Sequence, residues 1–229
     1  MKALVVLSGG LDSTVCLAKA VEKHGAKEVM ALTVIYGQKH SRELISAEKV
    51  VKYYGVKWRV LDLGEIFKDS ECSLLSHSHS DIPLGSYESQ QKGKDGKPVS
   101  TYVPFRNGLF VSVAVSIALS NGCSEVYYGI HQDDSAHEAY PDCSRAFHES
   151  MNEAVRQGTG GQIKIVAPYV NGYKKDIVAD GIRMSVPFEL TWSCYYGGEK
   201  PCGRCGTCID RKEAFERNGV KDPLEYEND

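Results

Sequence analysis

Ala3-Leu4-Val5-Val6-Leu7-Ser8-Gly9-Gly10-Leu11-Asp12-Ser13-Thr14 passes from an apolar run, through a glycine turn, into a helical pattern. Residues 2–7 are short, apolar and rich in Leu and Val, as a buried strand requires. Leu11, Val15, Ala18 and Val21 then recur at helical spacing, and Gly25 can end that helix. Glycines let a backbone approach a ligand closely, and the helix that follows directs its free N–H groups at the same point. The turn is therefore a candidate anion site at the end of a strand, with Ser8, Ser13 and Thr14 adding hydroxyls. Asp12 fits an N-cap, and a carboxylate there can hold Mg²⁺ beside phosphates. A helix end contributes only about 0.3–1 kcal/mol per charge, so several donors must act together. The string is not the common P-loop, which ends in Gly-Lys-Ser/Thr.

Outward from this turn the pattern repeats. Val29 to Tyr36 reads as a second strand, Leu44 to Tyr54 as an amphipathic helix stopped by Gly55, and Trp58 to Leu63 as a third strand. Alternating strands and helices call for a parallel sheet with helices on both faces. Ser76 to Ser100, with Pro83, Gly85, Gly93, Gly96 and Pro98, reads as a long polar loop. Phe105 to Leu119 is apolar nearly all round, so it reads as a buried helix. Glu125 to Ile130 and Ile163 to Val166 complete a five-stranded sheet; helices are expected over Cys143–Gln157 and Tyr173–Met184. The expected fold is a Rossmann-like α/β domain over residues 1–190, with a small metal-binding tail over 191–229.

Of 229 residues, 42% are hydrophobic, enough for a sizeable core, and the net charge of −3 argues against a nucleic-acid coat. The apolar start before Ser8 is too short for a signal peptide, and the apolar run from Phe110 to Leu119 is too short to span a bilayer. A cytoplasmic protein with no membrane and no nucleic-acid partner is expected. Cys16, Cys72, Cys123 and Cys143 are scattered, but Cys194, Cys202, Cys205 and Cys208 crowd together. Cys202, Cys205 and Cys208 make two overlapping Cys-x-x-Cys units, and with Cys194 the four thiolates match one closed, structural Zn²⁺ site; an iron–sulfur cluster is the rival.

The string Ser8 to Thr14 resembles the signature of the PP-loop superfamily, the N-type ATP pyrophosphatases. There the loop grips the β,γ-phosphates while the α-phosphate is attacked. Further motifs narrow the likeness. They are Val103-Pro104-Phe105-Arg106-Asn107-Gly108-Leu109-Phe110, Gly129-Ile130-His131, Tyr140-Pro141-Asp142-Cys143 and Thr191-Trp192-Ser193-Cys194-Tyr195 with its three further cysteines. Together they resemble the 7-cyano-7-deazaguanine synthase family over nearly the whole chain.

That resemblance implies a ligase acting on 7-carboxy-7-deazaguanine, ammonium and ATP with Mg²⁺. The carboxylate is activated, ammonia gives an amide, and a second activation gives the nitrile. It also implies a homodimer. The nucleotide window is Leu7, Ser8, Gly9, Gly10, Leu11, Asp12, Ser13, Thr14, Val15, Cys16 and Leu17. Ser8, Asp12, Ser13 and Lys174 are the candidate catalytic residues. Lys174 and Lys175 begin a helix, where the dipole disfavours cations. Arg106, Asn107, His131, Asp134, Tyr140 and Asp142 are candidates for holding the substrate, with Asp133 beside them; Cys143 is expected to pack rather than attack. Lys2 stands where one class of glutamine hydrolases has a cysteine, so free ammonium is expected to suffice. Two other classes compete. One is a different PP-loop enzyme, such as a tRNA-thiolating or amide-forming ligase; the other is a non-catalytic zinc ribbon that binds nucleic acid.

Overall fold

A computed structural model describes residues 1–92, 98–135 and 139–227. Strands β1 (Ala3–Val6), β2 (Val29–Ile35), β3 (Lys57–Asp62), β4 (Glu125–Tyr127) and β5 (Lys164–Val166) form one parallel sheet in the order β3-β2-β1-β4-β5. Side chains alternate across it. Ala3, Val5 and Leu7 enter a core with helices α1 (Leu11–His24), α2 (Arg42–Tyr54) and α7 (Lys174–Arg183). Leu4, Met30, Leu32 and Val126 face the opposite way, onto α4 (Arg106–Ser120). The remaining helices are α3 (Tyr87–Gln91), α5 (Gln132–Ser135), α6 (Arg145–Gly158) and α8 (Gly206–Glu216).

Three boundaries differ from the sequence-based expectation. The fourth strand stops at Tyr127, and Tyr128 to His131 continue as irregular chain at the sheet's edge. The sixth helix begins at Arg145, because Ser144 caps it through a hydrogen bond from the Phe147 N–H. The segment expected as a polar loop is partly folded in. Ile82, Tyr87 and Val99 are buried against α4's side of the core, and α3 forms within it. Their spacing follows no helical or strand period, so composition alone hid them. Gly93 and Gly96 of that segment lie outside the described residues.

Strand order reverses between β1 and β4. In such sheets the crevice beyond the strands' carboxyl ends receives the ligand. The tail is fastened to this edge. The Trp192 N–H donates to the Gly9 carbonyl at 2.9 Å. Ala214 and Phe215 of α8 join the core under α1. Arg211, the largest wholly buried side chain, donates to both Asp222 oxygens at 2.6 and 3.0 Å, to the Thr191 hydroxyl at 2.7 Å and to the Phe188 carbonyl at 3.1 Å. Removing one partner of a buried pair costs about 3–5 kcal/mol, because the other charge stays desolvated. Asp222→Ala is therefore expected to lose about that much stability in urea unfolding. A loss below roughly 1 kcal/mol would show that the pair does not hold the tail.

Candidate active site

The turn after β1 is shaped by its neighbours. Gly9 has φ +88°, and a Cβ there would lie 2.3 Å from the Glu43 carbonyl of α2. A Cβ on Gly129 would press on the Asp12 backbone at 3.1 Å. The first approach requires glycine, and at the second a side chain would have to push its neighbours back by a few tenths of an ångström. Inside the turn the Ser8 and Ser13 hydroxyls are 3.0 Å apart, the Gly10 N–H donates to Ser8 Oγ at 3.1 Å, and the Thr14 hydroxyl donates to the Gly10 carbonyl at 2.8 Å. These hydroxyls fix the loop's own shape.

The N-cap of α1 is Gly10, not Asp12, and no side chain caps the helix. The first-turn N–H groups of Leu11, Asp12 and Ser13 have no partner in the helix ladder. Gly10, Asp12 and Ser13 at this helix start line a cleft of about 1210 Å³, open solvent included. Asp12 instead turns its carboxylate toward Lys174, whose Nζ lies 3.6 Å from Oδ2; Asp12 Oδ1 is buried without a hydrogen-bond partner.

Of the expected residues, Leu7, Ser8, Gly10, Asp12, Ser13, Arg106, Asn107, Asp134, Tyr140 and Lys174 line this one cleft. Leu11, Val15, Cys16 and Leu17 point into the core between α1 and the sheet. Helical periodicity turns them away from the turn they follow. Asp142 is buried and accepts from the Asn107 N–H at 2.9 Å, so its carboxylate satisfies the start of α4. Cys143 borders the cleft with its sulfur 3.2 Å from Asn107 Nδ2; burial holds its thiol well above the usual range. A protonated thiol is a poor nucleophile.

His131 is 0% exposed. Its ring lies behind the cleft, 3.3 Å from Asp134, 3.5 Å from Asp133 and 3.8 Å from Asp12, and neither nitrogen has a close hydrogen-bond partner. It is not among the residues that line the cleft, and three carboxylates surround it. Lys174 is 5% exposed. Burial disfavours its charge, but Asp12, Asp134, Asp210 and Asp133 outweigh that and raise its pKa. The Asp133 carboxylate also accepts the Lys174 N–H at 2.7 Å, filling the start of α7. Burial likewise works against the Arg106 charge, yet Tyr36, Asp142 and Glu43 hold it. Its guanidinium lies over the Tyr36 ring, 5.3 Å from the centroid.

Several cleft residues carried no sequence signal. Tyr36 and Gln38 stand just beyond the carboxyl end of β2, where the doubly wound rule points, and Glu43 lies in the first turn of α2. Tyr195, by contrast, is the last residue of the quoted tail motif. Tyr87 comes from the segment expected as a loop and Thr101 directly follows it; nothing local marks either.

The four tail sulfurs lie within 4.8 Å of one another, and all are buried. Tetrahedral metal–sulfur bonds of about 2.3 Å place sulfurs about 3.8 Å apart, so the set fits one four-coordinate metal. Backbone N–H groups already point at sulfur: Tyr196 and Cys202 onto Cys194 at 3.3 Å, Arg204 and Cys205 onto Cys202 at 3.4 Å. The same knuckle carries Ser193, Tyr195 and Thr207 to the cleft wall.

Comparison with known proteins agrees with this arrangement. A family model described as "Queuosine biosynthesis protein QueC" matches residues 2–219. The 7-cyano-7-deazaguanine synthase of Caldicellulosiruptor bescii is 41% identical over 227 residues, covering 99% of this chain and 98% of that one. The protein of that name from Archaeoglobus fulgidus is 41% identical over 98% of this chain and 90% of its own. Among solved structures, NMN synthetase from Francisella tularensis shares the fold with a TM-score of 0.53 at 13% identity, covering 96% of this chain and 78% of that one. A U34-tRNA thiolase, NcsA from Methanococcus maripaludis, does so at 0.51 and 14% identity, covering 95% and 67%. With a family model spanning nearly the whole chain and full-length relatives at 41% identity, the chain belongs to the QueC family.

Proposed function

We infer that this chain is a 7-cyano-7-deazaguanine synthase, which uses ATP to convert 7-carboxy-7-deazaguanine and ammonia to the nitrile. One observation carries the reading: an uncapped helix start, Lys174 and Arg106 all open on a single cleft whose only thiol, among the described residues, is held protonated. Such a site positions and neutralises phosphates and supplies no covalent nucleophile.

In the proposed sequence, the substrate carboxylate oxygen attacks the α-phosphorus of ATP, and pyrophosphate leaves. The N–H groups of Leu11, Asp12 and Ser13, with Lys174, hold the departing charge. Ammonia attacks the acyl carbon, the C–O bond to AMP breaks with its electron pair, and one N–H proton is lost. The amide oxygen then attacks a second ATP in the same way. Loss of the remaining two nitrogen protons, with cleavage of the C–O bond to AMP, leaves the C≡N group. Arg106 is placed to neutralise carboxylate or phosphate. Asp12, with its buried unpartnered oxygen, would hold the Mg²⁺ that travels with ATP, which screens phosphate charge. In the tail, Cys194, Cys202, Cys205 and Cys208 would hold one structural Zn²⁺. A homodimer is carried over from the resemblance alone.

Incubation of the chain with ATP, Mg²⁺, ammonium and the acid should yield nitrile and AMP by mass, without glutamine. No acid-dependent ATP consumption, or a strict need for glutamine and a partner protein, would contradict the reading. Lys174→Ala should lower kcat by roughly 10²–10³ while leaving KM for the acid near its parent value. Unchanged turnover at saturating ATP would remove Lys174 from the chemistry.

Glu43, on the cleft wall, has its carboxyl pushed up to about 7 by burial, which outweighs nearby Arg106. The folded protein then binds this proton more tightly than the unfolded chain does. Stability is therefore lost as pH rises from the ordinary carboxyl range to about 7, and is flat beyond it. Glu43→Gln should gain in melting temperature relative to the parent across that window. A difference independent of pH would sink the assignment.

Elemental analysis should give one zinc per chain, lost together with tail protection from proteolysis in Cys205→Ala. Broad visible absorbance with iron and sulfide would instead favour a cluster.

A further inference from the structure

The cleft holds a group of side chains that the activation steps do not use. The Tyr87 and Tyr195 hydroxyls are 2.7 Å apart, those of Tyr195 and Tyr140 2.9 Å, and those of Tyr140 and Thr101 2.6 Å. These residues come from separate segments: α3, the chain before α4, the turn before α6, and the cysteine knuckle. All of them line the cleft with Asp134. Their positions are fixed by packing. Tyr87 meets Tyr140 edge-on at 5.4 Å and 88°, and a Cβ on Gly206 would lie 2.8 Å from the Tyr87 ring. The Asp134 carbonyl accepts the Tyr140 N–H at 3.1 Å.

The hydrogen-bond count is lopsided. Four hydroxyls bring four protons and eight lone pairs. The three links use three of each, leaving one donor against five acceptors. A carboxylate beside them adds only acceptors. Such a cluster is complemented by a small species made of donors alone. Ammonium brings four N–H groups, no acceptor and a positive charge that aromatic rings also attract. Water, with two donors and two acceptors, leaves the excess in place.

We propose that Tyr87, Tyr195, Tyr140 and Thr101, with the Asp134 carboxylate, form the ammonium-binding subsite of this cleft. The assignment rests on the function proposed above, in which ammonium is a substrate. It separates the cleft into a phosphate end, at Gly10 and Lys174, and a nitrogen-donor end bordered by the knuckle.

The test uses the full chain with saturating ATP and acid, ammonium being varied. Tyr195→Phe and Tyr87→Phe, made separately, should each raise KM for ammonium by roughly ten-fold, the scale of one charge-assisted hydrogen bond. KM for ATP and for the acid should stay within about two-fold, a split that loss of structure would not give. Acid-driven exchange of pyrophosphate into ATP, which needs no ammonium, should keep its rate. Thermal melting checks each variant, and either one alone suffices if the other fails to fold. An ammonium KM unchanged in a folded variant, or a parallel rise in every KM, overturns the subsite. If the wild-type chain shows no acid-driven exchange, the function falls and the subsite with it; exchange intact with an unchanged ammonium KM removes the subsite alone.

Discussion

Close backbone packing around one turn sets the rest of the molecule. At Gly9 the chain passes so near α2 that a single Cβ would overlap the Glu43 carbonyl. At Gly129 the end of β4 presses on the first residues of α1. From the third side the Trp192 N–H closes on the Gly9 carbonyl. The turn cannot relax in any of these directions. Its helix start stays uncapped by side chains and aimed at the cleft, ready for an anion. The position of the sheet's switch point, the fastening of the tail and the direction of Asp12 all meet in that packing.

Charge is arranged around it with equal economy. Lys174 and His131 are enclosed, and enclosed charges are stable only when paired. Asp12, Asp133, Asp134 and Asp210 supply the opposite sign from α1, α5 and α8. Asp210 itself is pushed up to about 6 by burial, which exceeds the pull of Lys174. Because α8 also carries Cys208, with Cys205 at its N-cap, the knuckle is mechanically joined to the lysine's surroundings. The cysteine cluster, which could hold a metal, thus has a route to the cleft without lining its phosphate end.

What the sequence made readable was local. The apolar run, the glycine turn and the helical stripe of Leu11, Val15 and Ala18 announce a strand, a loop and a helix within a few residues. The cysteine spacing announces a metal knuckle in the same way. Helical register also shows why Val15, Cys16 and Leu17 belong to the core, although they sit inside the motif window. The hidden part is what folding brings from afar. Tyr87, Thr101, Tyr140 and Tyr195 span more than a hundred positions of sequence yet share hydrogen bonds. Asp142 stands out in sequence because its motif is distinctive, but that its carboxylate accepts the Asn107 N–H is not legible there. Only the path of the chain before α4 decides that.

The central claim is that carboxylate oxygen is transferred to the α-phosphorus held at this turn. 7-Carboxy-7-deazaguanine labelled with ¹⁸O in both carboxylate oxygens tests it directly. The account predicts that the nitrile carries no oxygen label and that both labelled atoms are recovered in AMP, one for each activation. Label in inorganic phosphate, or label exchanged only into water, would contradict it.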